Sequence, residues 1–512
     1  MTPPAPANAE PILLVHGIQA VELSDGSHRI ILARDEQPKP QRPTIDQLTT
    51  KAKAKNANLA QILEEYARDL AAKNPSEVAD QPDGPAYYPP VKIDGIPLEE
   101  LIDLGKVAEG QGIPHAEAID RYAWQTNLQA VHNKLENAFP DEAAGTSMLN
   151  EGRTARIGFK GQIPKLAIEL AKTLPAEVEL IGNKGFSKKK LREVLETSST
   201  ELGKRPEVAG YVGKYDIDTG VIRFEVKPQK EIDTSEKRSA LQETLRLQPP
   251  TNTKIRIKID IKDDINLRPL PPRREDIKSL EDRKKSQIAA DDPYLRGGGI
   301  ISSGDTGTVS ICTSAFNLPR SDGYRSTTSA RHCWSTSNDQ YWFYWNHPSY
   351  TGNRTTLGFT QNPSQNYDFS RLIQTGSVDL TFTRTFYAAL NRPRYVNANG
   401  TSPLDGARVC FFGRTSHTQD GEYTCGAIEE SDVTYRMRGI SGDWFGGIVV
   451  SLDGNVNLLG GDSGGPLWYG KTAWGVSSMA GADGNAYFVA TDRINDSNGL
   501  GTNWNVWTCP TC

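Results

Sequence analysis

The chain has 512 residues, with 58 Lys+Arg, 63 Asp+Glu, a formal net charge of −5 and 37% hydrophobic residues. That length leaves room for more than one domain, and the near balance of charge, with no basic stripe, argues against a nucleic-acid partner. No apolar run reaches the roughly 18 residues of a membrane-spanning helix, so no membrane partner is expected.

Residues Met1 to Glu10 carry neither a basic nor an apolar signal region, yet Ala7-Asn8-Ala9 fits an A-x-A cleavage site. The sequence is therefore expected to open inside the signal peptide of an exported, extracellular protein. Leu13-Leu14-Val15-His16-Gly17 reads as a plain apolar strand. Residues 30–58 and 75–92, polar and proline-containing, read as loops or disorder within an N-terminal extension over 1–92. Leu128, Val131, Leu135 and Phe139 recur at three- and four-residue spacing, which predicts a helix over Ala116 to Phe139. Gln162 to Leu174 and Ser187 to Leu195 are two further helical candidates. Val208 to Tyr215 and Val221 to Val226 flank the turn sequence Asp216-Ile-Asp-Thr-Gly220, and Ile255, Ile257, Ile259 and Ile261 alternate as in a half-buried strand. Residues 93–265 thus read as an α+β region. Residues 266–296, rich in proline and charge and running into Gly297-Gly298-Gly299, read as an exposed linker with a processing site. Internal repeats are absent.

Composition changes sharply at residue 297. The last 216 residues hold 14 Lys+Arg and 17 Asp+Glu, half the charge density of the part before, together with all six cysteines and eight of the nine tryptophans. Six cysteines confined to one domain read as a disulfide set formed in an oxidising compartment. Residues 297–512 have the length of a single all-β domain with a sizeable core.

Three short blocks in this part carry chemistry. Gly461-Asp462-Ser463-Gly464-Gly465-Pro466 surrounds one serine with small residues, so the backbone can turn tightly and bring N–H groups beside its hydroxyl. A serine hydroxyl needs a base. The hexapeptide also satisfies G-x-S-x-G, but that nucleophile elbow takes its histidine from downstream, and none of the seven histidines follows Ser463. Upstream, Ser329-Ala330-Arg331-His332-Cys333 offers His332 as general base. Asn366-Tyr367-Asp368-Phe369-Ser370 offers Asp368, between aromatic residues, as the buried carboxylate that orients the imidazole. Asp339 and Asp379 are the competing carboxylates; His347 and His417 read as exposed loop residues.

The order histidine, aspartate, serine is that of chymotrypsin. With the strand Gly475-Val476-Ser477-Ser478-Met479-Ala480, these blocks resemble the chymotrypsin-like serine proteases of the bacterial streptogrisin and α-lytic protease branch, over residues 297–512. The resemblance implies an all-β catalytic domain of two six-stranded antiparallel β-barrels, preceded by an α+β pro-region that assists folding and blocks the site until it is cut away. It implies a secreted, monomeric serine endopeptidase, made as a zymogen, that needs no cofactor or metal and whose partners are protein or peptide substrates and its own pro-region. The oxyanion hole would be the backbone N–H groups of Gly461 and Ser463, and Asn457, Ser478, Met479 and Ala480 would contact the substrate. Cys312 would pair with Cys333 and Cys410 with Cys425, each bridge worth roughly 3 kcal/mol in the chain-entropy model. Cys509-Pro-Thr-Cys512 reads as a local terminal disulfide.

Two departures from the family stand out. Cys410 is followed by Phe411 rather than an arginine, so Asp462 lacks its usual partner; Arg408, Arg414 or a new amino terminus near Gly297 to Ile301 could replace it. The cysteine expected near Leu458-Leu459-Gly460 is missing. Asn457, six positions before the serine, argues against a preference for basic side chains, and Leu458, Met479 and Ala480 suit neutral or apolar ones. The alternative reading is a latent, non-catalytic binding module that keeps its N-terminal domain.

Overall fold

The structure, a computed structural model, describes residues 12–512 except 16–17, 39, 74–82, 85, 264, 266, 270–272, 277–291, 304–306, 335–340, 346–355, 360–363, 365, 375–380, 418–420, 437–443, 482–483, 497–499 and 502–503. His16, Asp339, His347 and Asp379 lie outside the described residues. The chain divides into two compact units. One comprises Met1–Pro40, Trp124–Ile265 and Leu404–Ala407, the other Gln41–Ala123, Asn266–Pro403 and Arg408–Cys512.

The first unit is α+β. Its larger sheet has the strand order Ile12–Val15, Ile18–Glu22, His28–Leu32, Glu177–Gly182, Thr154–Phe159, Ala143–Leu149, and all neighbours are antiparallel except Glu177–Gly182 with Thr154–Phe159. Val208–Asp216 and Val221–Pro228 form the expected hairpin. Asp216 closes its turn by accepting from the N–H groups of Asp218 and Thr219, and Gly220 takes φ +67°. Arg256–Ile261 then adds in parallel to Val221–Val226. The helix Lys188–Gly203 starts where Ser187 accepts from the Lys190 N–H and runs longer than the sequence pattern indicated. Leu191, Leu195 and Leu202 on its inner face are fully buried with Tyr211, Ile222 and Phe224.

Three helix and loop expectations for the N-terminal part change. The single helix expected over Ala116 to Phe139 is two, His115–Tyr122 and Gln125–Ala138, because Ala123 and Trp124 leave helical geometry (ψ −7° and −3°). The second candidate helix shortens to Lys165–Ala171, since Ile163 precedes a proline and cannot be helical without a clash. Residues 30–58, expected as loop or disorder, contain the strand His28–Leu32 and the helix Pro43–Lys55, which has proline at its first position and buries Ile45, Leu48 and Ala52.

The second unit combines helices with the aromatic-rich C-terminal part. Six strands, Thr424–Arg436, Arg408–Phe411, Pro466–Tyr469, Thr472–Gly481, Asn485–Ala490 and Trp444–Leu452, pair antiparallel in that order, and the last returns to the first, closing a barrel. Trp468, Phe488 and Val476 are fully buried within it. The other expected barrel is found as an antiparallel sheet of eight strands, ordered Arg273–Asp276, Thr308–Thr313, Ile300–Ser302, Tyr341–Tyr344, Thr356–Phe359, Ser370–Gln374, Arg325–Ser329, Asn317–Pro319, with no closing pair among the described residues. Within the stretch expected as an exposed linker, Leu267–Pro269 pairs with Thr472–Gly481, and Arg273–Asp276 pairs with Thr308–Thr313.

The helix Leu98–Gln111 is tied to the barrel by charge. Asp103, fully buried, accepts from Arg394 Nη1 (2.8 Å), Tyr423 Oη (2.7 Å) and the Gly470 N–H (2.8 Å). Nearby, Lys471 Nζ lies 3.0 Å from Glu99 Oε1. Removing one partner of a buried pair leaves the other charge without compensation. Asp103→Ala is accordingly expected to destabilise this unit by about 3–5 kcal/mol, read as a lower urea midpoint by tryptophan fluorescence; an unchanged midpoint would contradict the assignment.

Candidate active site

Ser463 sits in the loop that enters the strand Pro466–Tyr469. Gly464 takes φ +87°, and a Cβ there would lie 2.1 Å from the Thr313 carbonyl oxygen and 2.2 Å from Ser329 Oγ, so only glycine lets the loop approach the opposite sheet so closely. Thr313 holds the approach from the other side. Its N–H donates to the Ser463 carbonyl (2.8 Å) and its hydroxyl to the Gly461 carbonyl (2.8 Å).

His332 lies in the short turn Arg331–Trp334 that follows the strand Arg325–Ser329, and the Cys312–Cys333 bridge ties that turn to Thr308–Thr313. Asp368 precedes the strand Ser370–Gln374, flanked by the stacked rings of Tyr367 and Phe369. The three side chains meet. The Asp368 carboxylate accepts from the His332 backbone N–H (2.9 Å, Oδ1) and from Nδ1 (2.7 Å, Oδ2), while Nε2 lies 2.8 Å from Ser463 Oγ. An ionised carboxylate only accepts, so Nδ1 carries the proton and Nε2 is left to accept from the serine hydroxyl. Exposure of His332, Asp368 and Ser463 is 4%, 0% and 0%.

A third donor to Asp368 comes from Ser478, whose hydroxyl bonds Oδ2, with Tyr435 Oη 3.1 Å from Ser478 Oγ. Burial first, and then the charge of Asp368, push the Tyr435 phenol well above its ordinary range, so it stays protonated. Tyr435 was not a sequence candidate; nothing in the pattern of Thr424–Arg436 marks it apart from other buried strand residues. Ser478 was read as a substrate contact, and its side chain here serves Asp368.

Asp462 finds its partners in the backbone. It is fully buried and accepts from the N–H groups of Thr415 (2.7 Å), Ser416 (3.0 Å) and Leu459 (2.9 Å). Burial pushes its carboxyl up, against the pull of these amides. A Cβ at Gly413 would lie 2.3 Å from Asp462 Oδ1, so the Thr415 loop also needs glycine to come this near. Neither proposed arginine is its partner in the uncut chain, and a new amino terminus near Gly297 to Ile301 could form only after cleavage. Arg408 pairs with Asp453, Arg414 donates through Nε to the Gly298 carbonyl (2.6 Å), and Gly298 lies within the chain, donating to Ser314. His417, read as exposed, is buried (4%), with Nδ1 3.2 Å from the Gly413 N–H and Nε2 2.9 Å from Thr424 Oγ1.

The remaining candidates divide. The Gly461 N–H has no acceptor among the described residues, and a Cβ on Gly461, at φ +97°, would lie 2.4 Å from Thr415 Oγ1. Met479 is fully buried, and the backbone of Met479 to Gly481 carries Leu267–Pro269 as a paired strand. Asn457 is exposed, with Oδ1 3.7 Å from where a Cβ on Gly484 would stand, whereas Leu458 is buried (4%). Cys410 pairs with Cys425 and Cys509 with Cys512. Among the described residues no group of three or more His, Cys, Asp or Glu is placed to hold a metal ion.

No protein-family model and no curated protein matches the chain. Among solved structures it is similar to Thermobifida fusca Protease A (19% identity, TM-score 0.31), Nocardiopsis Protease (20%, 0.30) and Cellulomonas bogoriensis chymotrypsin (20%, 0.30), each match covering 42% of this chain and 100% of the other. The chemical reading therefore stands on the geometry.

Hydrogen bonds to charged groups contribute roughly 1.5–3 kcal/mol. Ser478→Ala is expected to slow phosphonylation of Ser463 by roughly one to two orders of magnitude, and Tyr435→Phe, one bond further out, by about fivefold at most. Stopped-time labelling followed by mass spectrometry measures both rates.

Proposed function

We propose that this chain is a serine endopeptidase, exported and made as a latent precursor, acting on protein or peptide substrates with a preference for neutral or apolar side chains. The observation that carries the reading is His332, held between Asp368 and Ser463 at 2.7 and 2.8 Å. Ser463 Oγ attacks the peptide carbonyl carbon as His332 Nε2 takes its proton. The tetrahedral oxyanion is received by the N–H groups of Gly461 and Ser463. The C–N bond then breaks, His332 delivers the proton to the leaving nitrogen, and water reverses the sequence to release the acid. Asp368, bonded to Nδ1, stabilises the imidazolium that forms.

Three features support the latent, exported form. Three disulfides suit an oxidising compartment. The uncut chain keeps Ser463 and Ser478 out of solvent, which favours latency of the intact chain over a permanently non-catalytic module. Tyr294–Gly297 is a strand parallel to Thr381–Ala389, with Leu295 and Arg296 0% and 2% exposed, so a releasing cut suits a bond before this strand better than Gly297.

A fluorophosphonate probe tests the reading. Ser463 is expected to be the labelled residue, Ser463→Ala to abolish label, and Asp368→Asn to slow it by roughly 10⁴-fold. The amino terminus of the labelled species, read in the same mass spectrum, is expected before Asp292. Label elsewhere, or none under any condition, would sink the proposal.

A further inference from the structure

A cavity of about 600 Å³ lies within the α+β unit, on one face of its six-stranded sheet. Strand pairing fixes which side chains share that face. One row across the strands reads Arg29, Ile181, Gly158, and the next reads Ile31, Glu179, Arg156. Gly158 leaves a gap in its row, and Lys184 fills it: a Cβ there would lie 2.8 Å from Lys184 Cδ and 3.2 Å from Nζ. Arg29 and Lys184 thus flank Ile181 on one surface.

Charge along this surface alternates and stops on a cation at each end. Arg29 Nη1 lies 3.6 Å from Glu179 Oε1. Arg156 donates to Glu179 Oε2 through Nε (2.8 Å) and to Asp218 Oδ2 through Nη1 (2.7 Å), and Lys184 Nζ lies 3.5 Å from Asp218 Oδ1. The central arginine is well bonded; the two end cations are held at longer range. Arg29 Nε is buried with no hydrogen-bond partner among the described residues, and a buried donor left without an acceptor is costly. The Lys184 side chain is 5% exposed, its Nζ sits 5.4 Å from the centre of the Phe186 ring, and burial pushes its pKa down against the pull of Asp218. An anion over Ile181 would serve both ends. Lys254 and Arg256 also line the cavity, so five cations face the three carboxylates of Asp25, Glu179 and Asp218, an excess of two. Leu23, Phe186 and Ile255 supply apolar wall.

We infer that this cavity binds an organic phosphate monoester, its phosphate between Arg29 and Lys184 and its apolar part against Phe186 and Ile255. Charge and shape select that class. A phosphate monoester carries roughly −1.5 to −2 at neutral pH and has three acceptor oxygens, enough to offset the excess and to bond two cations on opposite sides. A single carboxylate offsets half of it, and inorganic phosphate has nothing to lay against the apolar wall. The volume falls in the range of small-molecule sites, roughly 300–1,000 Å³. The site shares no residue with the one at Ser463 and stands whether or not the chain cleaves peptides.

Titration calorimetry of the full-length chain with phenyl phosphate is the test. One saturable site is expected, with Kd at least about tenfold below those of benzoate and inorganic phosphate. Lys184→Met and Arg29→Met are each expected to weaken phenyl phosphate by about tenfold or more. Arg256→Ala removes an exposed side chain without disturbing the core and is expected to weaken it by about threefold, which decides the matter if the Lys184 variant does not fold. No saturable binding up to about 10 mM, benzoate or inorganic phosphate binding as tightly as phenyl phosphate, or folded variants that all bind like the unaltered chain would each overturn the inference.

Discussion

The contact between Thr313 and the loop Gly461 to Gly465 joins the two halves of the candidate site. His332 and Asp368 flank strands of the eight-stranded sheet and Ser463 enters a strand of the closed barrel, so the His332–Ser463 hydrogen bond depends on how the two sheets meet. Thr313 provides two hydrogen bonds to that loop, and Gly464 provides the absence of a side chain where the Thr313 carbonyl and the Ser329 hydroxyl already stand. A larger residue at Gly464 would part the sheets and with them the imidazole and the serine.

Three buried carboxylates organise the rest of the unit, each by a different choice of donor. Asp368 takes its three hydrogen bonds from His332 and Ser478 and so fixes a tautomer. Asp462 takes three from backbone amides and so fixes a loop. Asp103 takes an arginine, a tyrosine and an amide, and so fixes a helix to the barrel. Burial pushes the carboxyls of Asp103 and Asp462 up, and directed donors pull against it. The choice at Asp462 explains how the chain manages without an arginine after Cys410: amides already present in the Gly413 to Ser416 turn suffice.

The edge of the strand Thr472–Gly481 is taken by the chain's own Leu267–Pro269, paired antiparallel with Met479 to Gly481. An open edge attracts extended chain whatever its source, and here a segment of the same chain fills it.

What the sequence by itself determined is which three side chains to look at. The blocks around His332, Asp368 and Ser463 stood out because acyl-transfer chemistry would demand particular residue types next to small or aromatic neighbours, such demands are written locally, and the three side chains do meet. The hairpin around Asp216 to Gly220 was legible for the same reason, since turn conformation is a property of a few adjacent residues. Tertiary structure alone decided which donors satisfy Asp462, that Ser478 and Tyr435 stand behind Asp368, that residues 43–55 form a helix, and that Leu267–Pro269 lies along Met479 to Gly481. Each of these depends on groups that only the fold brings together, through backbone or side-chain hydrogen bonds or burial, and none is marked by its neighbours in sequence: any amino acid but proline supplies an N–H, many buried strands carry a serine or tyrosine, and any strand can present an edge.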